Sequence, residues 1–131
     1  MYSTSNLNLN INNSFNEAIN WFGTNGLCLN ANKTQEILFS LRQVAPSEVS
    51  TAKLLGIVLD SKLTWNPHID GVCKRLARVI HLLRHLKTSV PKEYLKISYY
   101  AFFNSILNYG IHIWGNSTNI NRVLKLQRTA I

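Results

Sequence analysis

Acidic residues are scarce: six Asp and Glu stand among 131 residues, none beside another and none in an Asp-Xaa-Asp arrangement. Chemistry that needs converging carboxylates, such as two-metal phosphoryl transfer or glycoside cleavage, therefore finds no self-contained site here. No glycine-rich phosphate loop and no serine nucleophile elbow appears either. Two cysteines, Cys28 and Cys73, are too few for a disulfide scaffold and form no Cys-Xaa-Xaa-Cys pair, which points to a reducing, intracellular setting. The opening residues lack the basic start and apolar centre of a secretory signal. The longest nearly apolar run, Ile97 to Leu107, is about half the ~20 residues a membrane span requires and is broken by Ser98, Asn104 and Ser105, so no membrane partner is expected. His81 and His85 have the one-turn spacing of zinc-binding helices, but Leu82 stands where the catalytic Glu of such helices would be. No metal site is assigned.

What is present is an apolar chain, 46% hydrophobic, with a one-sided charge distribution. Residues 1–60 carry three bases against four acids, whereas residues 61–131 carry eleven bases against only Asp70 and Glu93. The formal charge of +8 thus resides in the second half, as expected of a surface that meets a polyanion.

The pattern reads as α+β. An Asn-rich polar lead-in covers residues 1–13. A helix follows, opened by the capping box Ser14 to Glu17, with Phe15, Ala18, Ile19 and Phe22 on one face and Asn25-Gly26 at its end. Leu27 to Asn30 and Glu36 to Ser40, separated by the turn-forming Ala31-Asn32-Lys33-Thr34, read as a hairpin, and Lys53 to Asp60 as a buried strand. Asn66 as N-cap and Pro67 at the first position open a helix over residues 67–87. Its apolar stripe is Ile69, Val72, Cys73, Leu76, Val79, Ile80, Leu83 and Leu86. Another helix runs from Pro91 to about Asn108, with burial expected at Tyr94, Leu95, Tyr99, Phe102, Ile106 and Leu107. Tyr109 to Trp114 reads as a short extended piece. A last helix begins at Asn119, carries Val123, Leu124, Gln127 and Ile131 as its periodic positions, and has no stop signal, as in a chain truncated at its C-terminal end.

Winding residues 67–87 at about 100° per residue puts Lys74, Arg78, His81 and His85 within about 60° of one another, opposite the apolar stripe. At about 1.5 Å per residue this rail is roughly 16 Å long, enough to follow several phosphates of a nucleic-acid strand. An ordinary solvated face would interleave signs, whereas here the face has no acid beyond Asp70. Trp65, Tyr99, Tyr100, Phe102, Phe103 and Trp114 could offer stacking surfaces, although their apolar helical settings favour a core role.

The run Leu54-Leu55-Gly56-Ile57-Val58-Leu59-Asp60-Ser61-Lys62-Leu63-Thr64-Trp65-Asn66-Pro67-His68-Ile69 resembles a block in reverse transcriptases of non-LTR retrotransposons, especially jockey-like LINE elements. So do Gly26-Leu27-Cys28-Leu29-Asn30-Ala31-Asn32-Lys33-Thr34 and Tyr109-Gly110-Ile111-His112-Ile113-Trp114-Gly115. The resemblance implies that residues 14–60 are a partial polymerase palm and residues 61–131 a helical, thumb-like region. It implies that Lys33 lies near the incoming nucleotide's phosphates, that Leu55-Gly56 is a primer-grip-like turn, and that the basic helix follows an RNA/DNA template–primer duplex. Strands around Leu27, Ile37 and Ile57 would then pair with catalytic strands outside this segment, leaving an edge open for association. The family's catalytic Asp pair is absent from residues 1–13, so the magnesium-dependent polymerisation of the intact family enzyme is not expected of this chain, which carries no cofactor of its own. The rival reading is a small basic helical protein–protein interaction module without a nucleic-acid role.

Overall fold

A computed structural model describes residues 4–35, 37, 39 and 50–130, with residues 4–12 and 31 described by their backbone alone. The chain divides into two compact units, residues 1–36 and 37–131.

The first unit is built on α1, Thr4–Thr24. The helix begins ten residues before the expected capping box, so Ser14 and Glu17 are interior positions and the polar lead-in is largely helical. Leu7, Ile11, Phe15, Ala18 and Phe22 are spaced 4, 4, 3 and 4, a helical period that the Asn-rich composition hides. The end lies where it was expected. Gly26, at φ 69°, donates its N–H to the Gly23 carbonyl, and Leu27 donates to Phe22, the paired bonds of a Schellman ending. Leu27 to Asn30 is irregular rather than a strand. Asn30 organises the following single helical turn, Ala31–Lys33, by accepting from Asn32 on its side chain and from Lys33 and Thr34 on its carbonyl. The expected partner strand, Glu36 to Ser40, lies mainly outside the described residues, and Ile37 itself is in no strand.

The second unit opens with a hairpin where one strand was expected. β1, Thr51–Leu54, pairs antiparallel with β2, Ile57–Asp60, in the register Thr51 to Asp60 and Leu54 to Ile57. Leu55 and Gly56 make the two-residue turn with φ 49° and 83°, the doubly left-handed signature of a type I′ connection. α2, Asn66–Leu86, is the spine and packs against β2 and against the later helical elements. Its stripe is buried as predicted at Ile69, Val72, Leu76, Ile80 and Leu83, and this line joins Phe103, Leu107, Trp114 and Val123 in one core.

α2 is not capped by Asn66. Trp65 holds the cap position in a left-handed conformation without a side-chain cap bond, and the tie comes from Asp60. One Asp60 carboxylate oxygen accepts the Trp65 N–H at 2.8 Å, and the other accepts the Thr64 N–H at 2.9 Å and its hydroxyl at 3.0 Å. Burial pushes the Asp60 carboxyl up, but these bonds outweigh it and hold the group below its ordinary value.

The next helix is interrupted. α3, Lys92–Ser98, passes into a π-helical segment, Tyr99–Asn104, and then α4, Ser105–Asn108. The wider π turn shifts the face within it, so Phe103 is fully buried while Phe102 is exposed, against the simple 3.6-residue expectation, and Tyr94 of α3, also expected to be buried, is exposed. Tyr109 to Trp114 is not extended: Gly110, at φ 65°, starts a single helical turn, α5, Ile111–Trp114. α6, Ile120–Ala130, is the expected last helix, with Val123 buried and Leu124 exposed; Ile131 lies outside the described residues. Among the described residues no helix is long and apolar enough to cross a membrane.

Candidate nucleic-acid interface

Burying one stripe of α2 fixes which residues must face outward. Lys74, Arg78, His81 and His85 are all exposed, on one line, as their spacing requires. The Arg78 Nε donates to the Lys74 carbonyl at 3.4 Å, laying the guanidinium along the helix. The imidazoles of His81 and His85 meet with their Nε2 atoms 3.2 Å apart and ring centroids 4.4 Å apart. One must donate where the other accepts, so this geometry requires at least one neutral ring. The fixed charge of the rail therefore resides on Lys74 and Arg78, with Arg75 and Arg84 beside it.

The sequence reading expected α6 but not its place beside the rail. Asn119 meets Asn66 and Arg122 meets Asp70, so α6 runs beside α2 in the same direction. Arg122 and Asp70 form an ion pair, which neutralises the only acid on the rail's face. The hydrogen bond and charge of Asp70 raise the Arg122 pKa further. Between the helices lies a cleft of about 450 Å³ with Lys74 on one wall, Lys125 on the other, and Cys73, Ala77 and Leu126 among its lining residues. Burial pushes the Cys73 thiol up, so it is a protonated packing group. Arg122, Lys125 and Thr129, at i, i+3 and i+7, were the signal that would have exposed this second basic wall.

Two of the family-like blocks, residues 54–69 and 109–115, converge on the hairpin. Leu55 is 81% exposed at the turn, and the Tyr109 hydroxyl donates to its carbonyl. The Trp114 indole N–H donates to the Tyr109 carbonyl at 3.0 Å. Gly110 passes so near β2 that a Cβ there would lie 2.8 Å from Ile57 Cδ1. Buried His68 accepts the Val58 N–H on Nδ1 at 3.3 Å and packs against the Trp114 ring, with its Nε2 unpartnered. Burial, and then the charge of Arg75, hold its pKa below the ordinary value. Leu55, Gly56, Asp60, His68, Tyr109 and Trp114 are thus one assembly. Lys33 is exposed in the turn of the first unit and is described only within that unit.

Among the described residues no group of three or more His, Cys, Asp or Glu side chains stands together as a metal would require. Asp60 is committed to backbone N–H groups and Asp70 to Arg122. Asp60 and Asp70, so committed, do not fit a catalytic magnesium pair.

Comparison with known proteins finds sequence similarity to a polymerase of a mobile element. The chain is 31% identical over 122 residues to the probable RNA-directed DNA polymerase from transposon BS of Drosophila melanogaster, a match covering 80% of this chain. It spans 14% of that relative's length. No protein-family profile matches the chain, and no solved structure matches it significantly.

Proposed function

We propose that the chain is a segment of an RNA-directed DNA polymerase from a jockey-like non-LTR retrotransposon, lying C-terminal to the catalytic strands and gripping the template–primer duplex without supplying the catalytic Asp pair. The observation that carries this reading is the exposed one-signed face of α2, Lys74 and Arg78, doubled by Lys125 across the cleft, with its only acid paired to Arg122. Similarity over 80% of the chain to a transposon polymerase supports the same reading. Donors of one sign at helical spacing track phosphates and carry no base-edge readout, so binding is indifferent to sequence. The left-handed Leu55-Gly56 turn, held by Tyr109, serves as a primer-grip-like tip, and Lys33 faces nucleotide phosphates.

The test is fluorescence anisotropy of an RNA–DNA hybrid titrated with the full chain between 50 and 200 mM salt, values on the order of those that expose counterion release. The reading expects log affinity to fall linearly with log salt, equally for unrelated sequences, with no primer extension in magnesium. Salt-independent binding, or none, would favour the protein-interaction module. Extension by the chain alone would overturn the assignment.

A further inference from the structure

A second groove lies away from the rail, between the α3/π segment and the end of α6. It encloses about 490 Å³, within the range of about 300–1,000 Å³ that small-ligand sites occupy. Its lining combines Lys92 and Lys96 of α3, Tyr99, Tyr100 and Asn104 of the π segment, and Gln127 of α6. Lys92 and Lys96 are one turn apart on one face, and Glu93, the only acid of α3, is wound about 100° away from Lys92. Tyr99 stacks on the fully buried Phe103 with centroids 5.2 Å apart and planes 15° apart, which anchors it to the core. Tyr100 stands edge-on to Tyr99, at 78° and 5.4 Å, and is 55% exposed, so an anchored neighbour holds a half-exposed ring at the groove. The π turn that produces this placement belongs to a class of irregularity concentrated at functional sites.

We infer that this groove binds a single-stranded nucleic-acid segment, one nucleotide at a time: a base stacks on Tyr100, the Asn104 and Gln127 amides meet base or sugar edges, and Lys92 and Lys96 hold the flanking phosphates. The charge of the wall selects a polyanion over an apolar peptide, and a half-exposed ring suits bases of any identity, because every base has a π-face. The site rests on the reading of the chain as a polymerase segment, where it takes the strand that has left, or not yet entered, the duplex held by α2.

The experiment uses a fluorescein-labelled ten-nucleotide oligouridylate, with 4-thiouridine at one position for photocrosslinking, and the full chain. Crosslinks are expected at Tyr100 or its groove neighbours. Tyr100→Ala should weaken the oligouridylate by about five- to a hundredfold, the span of one lost stacking contact, while hybrid affinity is unchanged. Lys92→Gln with Lys96→Gln should lower the salt slope for oligouridylate alone. Circular dichroism of each variant verifies the helices, which Tyr100, being outside the core, does not hold together. Crosslinks confined to α2, or wild-type oligouridylate affinity in Tyr100→Ala, overturn the groove and leave the duplex reading standing. Equal losses for single strand and hybrid also overturn it, because the two would then share one surface. A groove that binds a hydrophobic peptide probe and ignores oligouridylate makes it a protein-docking site and refutes the inference.

Discussion

Replacing Gly110 by Ala perturbs the point where the block of residues 109–115 packs on the hairpin of the block of residues 54–69. Two costs combine there. The backbone at φ 65° is left-handed, which costs a non-glycine residue about 1–2 kcal/mol. The added Cβ would also stand 2.8 Å from Ile57 Cδ1, and since Ile57 is itself buried, its side chain must turn aside within a packed site, an overpacking cost of about 1–3 kcal/mol. Together these predict a loss of about 2–5 kcal/mol, a large share of the stability of a small domain. Gly71, in the middle of α2 with nothing near its would-be Cβ, supplies the contrast: Gly71→Ala should gain about 0.5–1 kcal/mol from helix propensity. Urea denaturation followed by far-ultraviolet circular dichroism measures both. Equal effects of the two substitutions, or an unchanged midpoint in Gly110→Ala, would refute the close packing of the Tyr109-Gly110 turn on the hairpin.

Asp60→Asn keeps the shape but turns an amide NH₂ toward one of the N–H donors that the carboxylate now accepts; a loss of about 2–3 kcal/mol in the same assay is expected, and a neutral result would remove Asp60 as the tie at the start of α2. His68 has a lowered pKa in the fold, so below its ordinary value of 6.5 the unfolded chain binds the proton that the folded chain refuses. Stability should therefore decline as pH falls from 7 to 5, by up to about 1.4 kcal/mol per pH unit, and His68→Gln should flatten that decline; an identical pH dependence in the variant contradicts the buried neutral imidazole. Leu55→Asn installs the Asn-Gly pair that a type I′ turn prefers and should stabilise by about 0.5–1 kcal/mol, readable as a raised thermal midpoint, whereas a loss would mean that the exposed Leu55 side chain is engaged by the fold.

The helical spine was legible because its signals agree. The apolar stripe of α2, Pro67 near its start and the opposed cations all follow from one 3.6-residue period, and the structure buries and exposes those residues accordingly. The hairpin was not legible because Leu54-Leu55-Gly56-Ile57 is apolar throughout, so its turn carries none of the polar residues that usually mark one; only Gly56 betrays it. The extended reading of Tyr109 to Trp114 failed for a tertiary reason: the left-handed Gly110 and the bond from the Trp114 indole to the Tyr109 carbonyl close a helical turn against the hairpin. The π segment shifted burial from Phe102 to Phe103, a change of register that periodicity cannot anticipate. On the candidate interface, the α2 rail was found from spacing, whereas Arg122 and Lys125 were overlooked because their importance depends on α6 lying beside α2, a pairing fixed by Asn66 and Asp70 fifty residues earlier.

The rail itself is tested most directly by the salt dependence of RNA–DNA hybrid affinity in Lys74→Gln with Arg78→Gln, set against Lys92→Gln with Lys96→Gln, a pair that changes net charge equally but lies on α3. Each phosphate contact contributes about one unit to the slope of log affinity against log salt. The α2 pair should lower the slope by about 2 and weaken every hybrid sequence alike, with helicity intact because neither residue is on the buried stripe, while the α3 pair leaves the slope near its original value. Equal loss from both pairs would mean that overall charge alone attracts the duplex, and would contradict the assignment of α2 as the face that grips it.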